Sequence, residues 1–532
     1  MGYQLKRRAC NGNEPVMAFS SVAELIFWRA EERADSLAVQ FPDASLSYGQ
    51  LAELAGRVAG AFQVRGLGPG GRVALLLGNQ PDLVGAICGG AVSGVITAPL
   101  NWHHRGSVLE YMLSHLEPSL VVYDPALVDD DQLAAIRVST GCPVVTCRDW
   151  GAEVLAASFD GGASRQLGDI LTIMYTSGAT GRSKGATLPH GLYLAEAESF
   201  NAVVSPTPED RFFTTLPLFH TNAQCLTFLG ALLAGVPSVI RDGFSASGLM
   251  RQVRETDATV VNVLGAMVPM FLKRSPDFGR QRHLRMIVGG GIPEQLMEAC
   301  VSRFDIQFRR IYGLTETGLN AGEFAGANPG SLGRPLPHND IRIAGDGSSG
   351  AEGEIQLKAL RPHVFFQGYW RDPEATRATQ TDDGWFRTGD LGCVDPDGFI
   401  HFAGRIKESI RRRGENISCV EVEMAVGDLP EIVDCAAVAV PSDMAEDEVK
   451  LVYVLRPGAD LRWDELCQRC TGRMASFMVP RYYEQVESIP RTPTEKVERY
   501  KLTATTGAVH DAASLSGVAD HSVAAGREGG SQ

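Results

Sequence analysis

The sequence predicts an α/β fold: a large N-terminal domain of α/β layers with a β-rich subdomain, followed by a small, mobile α+β C-terminal domain. The first sign is a rhythm. Short apolar runs bounded by turn residues, RVALLL (72–77), LVVYD (120–124), ILTIMY (170–175), SVIR (238–241), TVVNVL (259–264) and RMIV (285–288), recur between helical patterns. Such runs read as buried strands, and their alternation with helices implies a substantial parallel component. The second is the texture at 341–358, where DIRIA and EIQLK flank GDGSSGAEG; alternating apolar residues on both sides of a Gly/Asp/Ser loop read as a β-hairpin. The third is the charged stretch GRIKESIRRRGE near 404, after which patterns such as EVEMAV and KLVYVL begin afresh.

These signs divide the chain into an N-terminal extension (1–18), a large domain (19–406) with its β-rich part at about 330–403, a small domain (407–504) and a tail (505–532). The tail is Ala/Ser/Gly-rich with little apolar weight, so it is expected to be disordered. The stretch 83–100, LVGAICGGAVSGVITAPL, is uncharged but broken by Gly and ends in β-branched residues. It reads as a buried helix running into a buried strand, not a membrane span.

Composition narrows the function. At 532 residues and 44% hydrophobic, the chain can bury sizeable cores. Its net charge of -14 argues against a nucleic-acid partner, which would want a basic face. The 11 cysteines show no disulfide framework, and Cys467 and Cys470 lack the further ligands of a zinc site. As i and i+3 neighbours they share a helix face, and the dispersed thiols fit a reducing, cytoplasmic setting. The N-terminus MGYQLKRRACNGNEP carries charge with no apolar segment behind it, unlike a secretory signal.

The chemistry collects in three glycine-rich or polar loops, each after a predicted strand: YTSGATGRSKG, GGGIP and YGLTET. Ligands of open α/β sheets bind outside the carboxyl ends of the strands, so the three can line one crevice. The first suits phosphate. Gly178, Gly181 and Gly185 let backbone amides approach an anion, Thr176, Ser177, Thr180 and Ser183 add hydroxyls, and Lys184 adds a point charge. An ordinary surface loop could have the same composition. It is not a Walker A loop, because Ser183 stands where that motif needs Gly before its Lys. GLGPGG at 66–71 precedes a strand and is a turn.

Taken with PLFH (217–220), GEIQLK (353–358), GYW (368–370), TGD (388–390), GRIKESIRRRGENIS (404–418) and PRTPTEK (490–496), these loops resemble the adenylate-forming superfamily. That superfamily contains acyl-CoA synthetases, adenylation domains of nonribosomal peptide synthetases and beetle luciferases. The resemblance spans about 20–504, and its texture is similar to the carnitine or crotonobetaine CoA ligase-like branch. It implies two half-reactions. A carboxylate attacks the α-phosphate of ATP to give acyl-AMP and pyrophosphate; the thiol of CoA then displaces AMP.

On this resemblance Lys184, Glu316, Thr315, His220 and Lys496 are the expected catalytic residues, with Glu316 as the Mg²⁺ ligand and Thr315 on the α-phosphate. ATP is expected against Thr176, Ser177, Gly178, Thr180, Gly181, Gly290, Gly291, Tyr312, Gly313, Thr315, Asp390 and Arg405. Tyr312 offers a flat face to adenine, and Asp390 can accept from the ribose hydroxyls. Lys496 would bridge the carboxylate and the α-phosphate during adenylation. The small domain would then rotate about Lys407, replacing Lys496 by the loop 411–416. Arg412, Arg413, Gly414 and Glu415 would line a CoA tunnel, with Gly414 leaving room for pantetheine.

The acyl pocket is expected among His220 (an aromatic gate), Asn222, Val263, Leu264, Gly265, Gly289 and Gly313. Amino-acid-activating relatives place an Asp in the region of PLFHTNAQ; this stretch has no carboxylate, so the acid should lack an α-amine. The small residues of the pocket, Gly265, Ala266 and 289–291, would admit a bulky apolar acid. Three positions depart from the pattern: Ala179 for Thr or Ser, Ser183 for Pro and Glu495 for Gly. The expected function is an ATP-dependent acyl-CoA ligase for a hydrophobic, non-amino acid. The alternative is an enzyme of one half-reaction that passes acyl-AMP to a carrier protein or partner ligase. Neither nucleic acid nor an integral membrane association is expected, and a homodimer is one possible state.

Overall fold

The computed structural model describes residues 18–159, 161, 164–176, 182–265, 267–275, 277–323, 328, 330–345, 350–405, 410–442, 446–490, 497–504 and 508–515. Each predicted apolar run forms a strand. Arg72–Leu76, Leu120–Tyr123 and Ile170–Thr176 belong to one sheet; Ser238–Ile240, Val260–Leu264 and Met286–Gly290 belong to another. Their side chains are almost all buried, because helices cover both faces of parallel strands. The uncharged stretch becomes the helix Pro81–Ser93, ended by Gly94 at φ 79°, and then the strand Ile96–Pro99. Only a residue tolerant of the left-handed region makes that stop without strain.

The six-stranded sheet runs in the order 144–146, 120–123, 72–76, 96–99, 170–176, 184–189. Its last pair is antiparallel, with Thr176 opposite Lys184. The phosphate-type loop is therefore the tip of a hairpin, not the strand-to-helix turn of a P-loop. The nine-stranded sheet runs 334–335, 318–322, 307–314, 286–290, 260–264, 212–214, 238–240, 37–40, 45–47. Here too one loop is shorter than predicted: the strand Gln307–Leu314 carries Tyr312 and Gly313, and Leu314 pairs with Gly318 across the turn 315–317. The β-rich part is an antiparallel sheet of 339–343, 353–359, 386–394 and 400–405, and its first two strands are the predicted hairpin.

The C-terminal part has its own core. Ile432–Pro441, Asp447–Leu455 and Tyr482–Gln485 form a sheet, against which the helix Trp463–Arg473 packs with Cys467 and Cys470 buried. The expected disordered tail begins too early. Val509–Asp511 pairs antiparallel with Tyr482–Gln485, His510 stacks on Trp463 at 4.9 Å and 3°, and Asp511 pairs with Arg481 at 3.2 Å. A sheet edge offers unpaired amides and carbonyls, so even a polar segment gains by adding a strand there. Deleting the chain from Thr505 onward exposes this edge. It should cost the C-terminal part about 1–3 kcal/mol, read as a lower midpoint in thermal or urea unfolding.

Two buried histidines fasten the large core. His190 accepts the Val22 amide at Nδ1 (3.1 Å), and His338 meets the Ser199 hydroxyl at 2.8 Å. Burial lowers both to about 4. An unfolded histidine takes its proton near pH 6.5, so between about 6.5 and 4 only the unfolded state binds it. The stability they confer is complete above about pH 6.5 and falls as pH drops toward 4. The melting temperature should fall over that range, and His190→Asn, which keeps an acceptor for Val22, should flatten the slope.

Candidate active site

The Ile170–Thr176 and Lys184–Pro189 hairpin, the 315–317 turn and the segment 366–370 meet at one place. Glu316 is 9% exposed; Tyr369 donates its phenol to Glu316 Oε1 at 2.8 Å, and the Thr176 hydroxyl reaches the same oxygen at 3.4 Å. Lys184 holds its ammonium 5.0 Å from the centre of the Tyr369 ring. Burial first, and then the Glu316 carboxylate, keep the Tyr369 phenol protonated far above its usual range. A cation, two hydroxyls and one hard carboxylate thus face a common space. Gly185 is forced here: a Cβ would stand 2.8 Å from Ile173 Cγ2.

Beside this cluster Tyr312 donates to Asp390 Oδ2 at 2.7 Å, so the predicted adenine and ribose residues are brought together. Asp390 is 1% exposed, and it faces Arg405 across the antiparallel pair 386–394 and 400–405. The backbone thus brings Arg405 next to Asp390. Ser177, Gly178, Thr180, Gly181, Ala266, Lys407 and Lys496 lie outside the described residues, as does the Arg405 side chain.

The expected acyl gate is engaged from the other side. His220 Nε2 lies 2.9 Å from Glu415 in the hairpin of Ile410–Arg412 and Glu415–Ile417. Burial alone would raise the Glu415 carboxyl, but the His220 charge and hydrogen bond outweigh it and hold it below the usual carboxylate range. The hairpin turns through Arg413 (φ 53°) and Gly414 (φ 81°), both left-handed as a tight two-residue turn requires. A Cβ on Gly414 would meet Leu264 Cδ1 at 2.6 Å, so the turn lies directly on the predicted pocket wall. Past His220 the chain forms a π-helix, Asn222–Leu229, a geometry concentrated at functional sites. Its first residue, Asn222, accepts from Asn262 Nδ2 at 2.5 Å, which gives that wall a polar end.

Two sequence expectations change. Arg412 was expected in the CoA tunnel, yet it is 7% exposed, donates to Phe477 O (3.1 Å) and Val479 O (2.6 Å), and pairs with Glu448 at 2.5 Å. Strand alternation sends it inward while Arg411 and Arg413 flank it, so it fastens the hairpin to the small core. The glycines of the pocket were expected to make room for a bulky acid. Instead, backbone fills the space: a Cβ would stand 2.0 Å from Gly291 O at Gly265, 2.6 Å from Val263 O at Gly289, 3.1 Å from Ile311 O at Gly290 and 2.6 Å from Gly318 O at Gly313. Gly291 alone of these has open space around its Cβ position, at φ 69°. The glycines permit close strand and loop packing.

The profile of the AMP-binding enzyme matches residues 26–370, and that of the AMP-binding enzyme C-terminal domain matches 421–496. The chain belongs to the AMP-binding enzyme family. Among curated relatives of this AMP-binding enzyme, indoleacetate–CoA ligase of Aromatoleum aromaticum is 32% identical over 87% of this chain and 93% of its own length. Crotonobetaine/carnitine–CoA ligase of Salmonella paratyphi B is 30% identical over 86% and 92%. Among solved structures, o-succinylbenzoate CoA synthetase of Bacillus subtilis with a product analogue superposes with a TM-score of 0.80 (24% identity; 90% and 98% covered). A malonyl-CoA ligase complex with methylmalonyl-CoA and AMP gives 0.75 (28%; 86% and 97%). ATP-bound MatB of Rhodopseudomonas palustris gives 0.67 (27%; 90% and 98%).

Tyr369 is the site residue that sequence reasoning missed. It stood in the quoted GYW motif without a role, because only the fold brings it between Lys184 and Glu316. Among the described residues of this AMP-binding enzyme no group of three or more His, Cys, Asp or Glu could hold a metal by itself. Glu316 alone fits Mg²⁺, which takes one or two carboxylates and fills its shell with water and phosphate oxygens. Tyr369→Phe removes the hydrogen bond that orients Glu316. It should lower kcat/KM for ATP about tenfold, the loss of one charge-assisted bond, with the melting temperature nearly unchanged.

Proposed function

We propose that the protein is an AMP-forming acyl-CoA ligase whose two half-reactions share one cleft and use different faces of the small domain. The observation that carries the reading is the convergence of Lys184, Thr176, Glu316, Tyr312 and Asp390 on one side of the cleft, opposite a hairpin docked on His220. In the first half-reaction a carboxylate oxygen bonds to the α-phosphorus of ATP and the bond to pyrophosphate breaks. Such a transfer needs positioning and charge neutralisation more than covalent help. Lys184 and the Thr176 hydroxyl would hold the departing pyrophosphate. Mg²⁺ on Glu316 would neutralise phosphate charge, and Asp390 would hold the ribose. Tyr369 orients Glu316, and Lys496 would bridge the carboxylate and the α-phosphate.

In the second half-reaction the thiol sulfur bonds to the acyl carbon and the bond to AMP breaks. The docked hairpin suits this step: Gly414 brings the turn against Leu264 where a side chain would clash, and Glu415 holds His220. The higher TM-scores with the product complexes, 0.80 and 0.75 against 0.67 for the ATP-bound ligase, support the assignment of this arrangement to thioester formation. The relatives that activate indoleacetate or crotonobetaine support a carboxylic acid as substrate, with CoA as acceptor. The stretch 216–224 contributes no carboxylate, which supports an acid without an α-amine.

A single variant separates the two steps. Lys496→Ala should abolish pyrophosphate release from acid and ATP, by at least ~10²-fold, because a positioned charge at the transferring group is lost. It should leave thioester formation from synthetic acyl-adenylate and CoA within a few-fold of the parent protein. Pyrophosphate and AMP are measured separately, with and without CoA, across a panel of acids. An equal fall in both half-reactions would count against a two-face domain.

A further inference from the structure

Among the described residues, a hydrogen-bonded pair joins the small domain to the phosphate loop. The Ser183 amide donates to Glu421 Oε1 at 2.9 Å, and the Ser183 hydroxyl donates to the same oxygen. Both are sealed from water, Ser183 at 1% and Glu421 at 3% exposure. Glu421 lies in the first turn of the helix Cys419–Gly427, its own amide bonded to the N-cap Ser418 hydroxyl at 3.4 Å. Among the described residues no Lys or Arg forms an ion pair with it. Burial raises the Glu421 carboxyl above the usual carboxylate range, and the two Ser183 bonds offset only part of that rise. A buried carboxylate that rests on the donors of one serine is costly once that serine moves away.

The surroundings show what the pair adds. Val108 and Met112 of the helix Gly106–Leu116 share a core with Ile417, Val422 and Val426 of the small domain, and Arg182 lies over Tyr111 of the same helix at 4.9 Å. Such apolar contact is strong but non-directional. Ser183 and Glu421 set its register. Two residues beyond Glu421, Glu423 receives Arg499, at 3.1 Å from Nη2, and Arg499 also donates to Ala437 O at 2.6 Å. One helix therefore reaches the loop that carries Lys184 and braces the chain just beyond Lys496.

We propose that Ser183 and Glu421 are a positioning pair that closes the small domain only after pyrophosphate has left. The proposal rests on the reading of the 176–184 loop as a pyrophosphate clamp. Glu421 brings a carboxylate against the amide next to Lys184, and pyrophosphate on that loop presents several negative charges to the same surface. Like charges a few ångströms apart in a water-poor site repel strongly. The loop therefore serves either pyrophosphate or Glu421, which orders thioester formation after adenylation.

Hydrogen–deuterium exchange of the peptide covering 182–188 tests this without turnover. The Ser183 amide should be protected in the parent protein and should exchange about tenfold faster in Glu421→Ala, as expected for a lost charge-assisted bond. Titrating magnesium pyrophosphate into the parent protein should raise the exchange of that amide toward the variant's rate. In single turnovers Glu421→Ala should raise KM for CoA and slow thioester formation about tenfold while leaving pyrophosphate release within twofold. Ser183→Ala added to Glu421→Ala should cost the second half-reaction nothing more. If Glu421→Ala melts far below the parent, Glu421→Gln, which weakens both bonds without emptying the site, takes its place. Equal exchange in parent and variant, or protection indifferent to pyrophosphate, would overturn the proposal. Failure of every acid to release pyrophosphate would instead strike at the ligase reading and leave the exchange result standing.

Discussion

The site depends on a short run of main chain, 366–370, that is hydrogen-bonded to both large sheets at once. Phe366 N donates to Glu316 O at 2.7 Å at the turn of the nine-stranded sheet. Gln367 N donates to Thr187 O at 2.9 Å, Thr187 N to Gly368 O at 3.0 Å and Trp370 N to Gly185 O at 2.6 Å along the edge of the six-stranded sheet. Buried backbone bonds are expensive to break, and they are indifferent to the side chains around them. They hold the Lys184 strand and the Glu316 turn face to face. Tyr369 then has nowhere to point but between the two.

The small domain is held on different terms. Its contact with the large domain combines an apolar patch on the helix Gly106–Leu116 with a few directional polar bonds, His220 to Glu415 among them. Arg412 makes the hairpin rigid by bonding backward into its own domain, which frees the turn at Gly414 to approach the pocket as a unit. A domain attached this way can leave its seat without unfolding. The chemistry of the proposed two steps needs that property.

Much of this is legible in the sequence. Runs such as 72–77 and 259–264 are too short for helices and too β-branched for loops, so their strands could be read directly. The resemblance to the adenylate-forming superfamily, carried by motifs ordered along the chain, brought Lys184, Glu316, Tyr312 and Asp390 onto one list. What failed had a common cause. Arg412 was expected to line the CoA tunnel because charge along a chain says nothing about which face of a strand points inward. The glycines at 265, 289 and 290 looked like space, since the backbone that fills that space comes from residues elsewhere in the fold. The strand Val509–Asp511 is invisible in an Ala/Ser/Gly-rich tail because its stability comes from a sheet edge already built by other segments.

The sequence by itself determined the fold class and the strands formed by its short apolar runs, because local periodicity and turn chemistry act over a few residues; its motifs carried the resemblance that named the candidate site residues. Only the tertiary structure decided which groups touch. The pairing of Tyr369 with Glu316, of His220 with Glu415 and of Ser183 with Glu421 joins positions far apart in the chain. Such contacts depend on how layers stack and on which polar groups burial leaves in need of a partner.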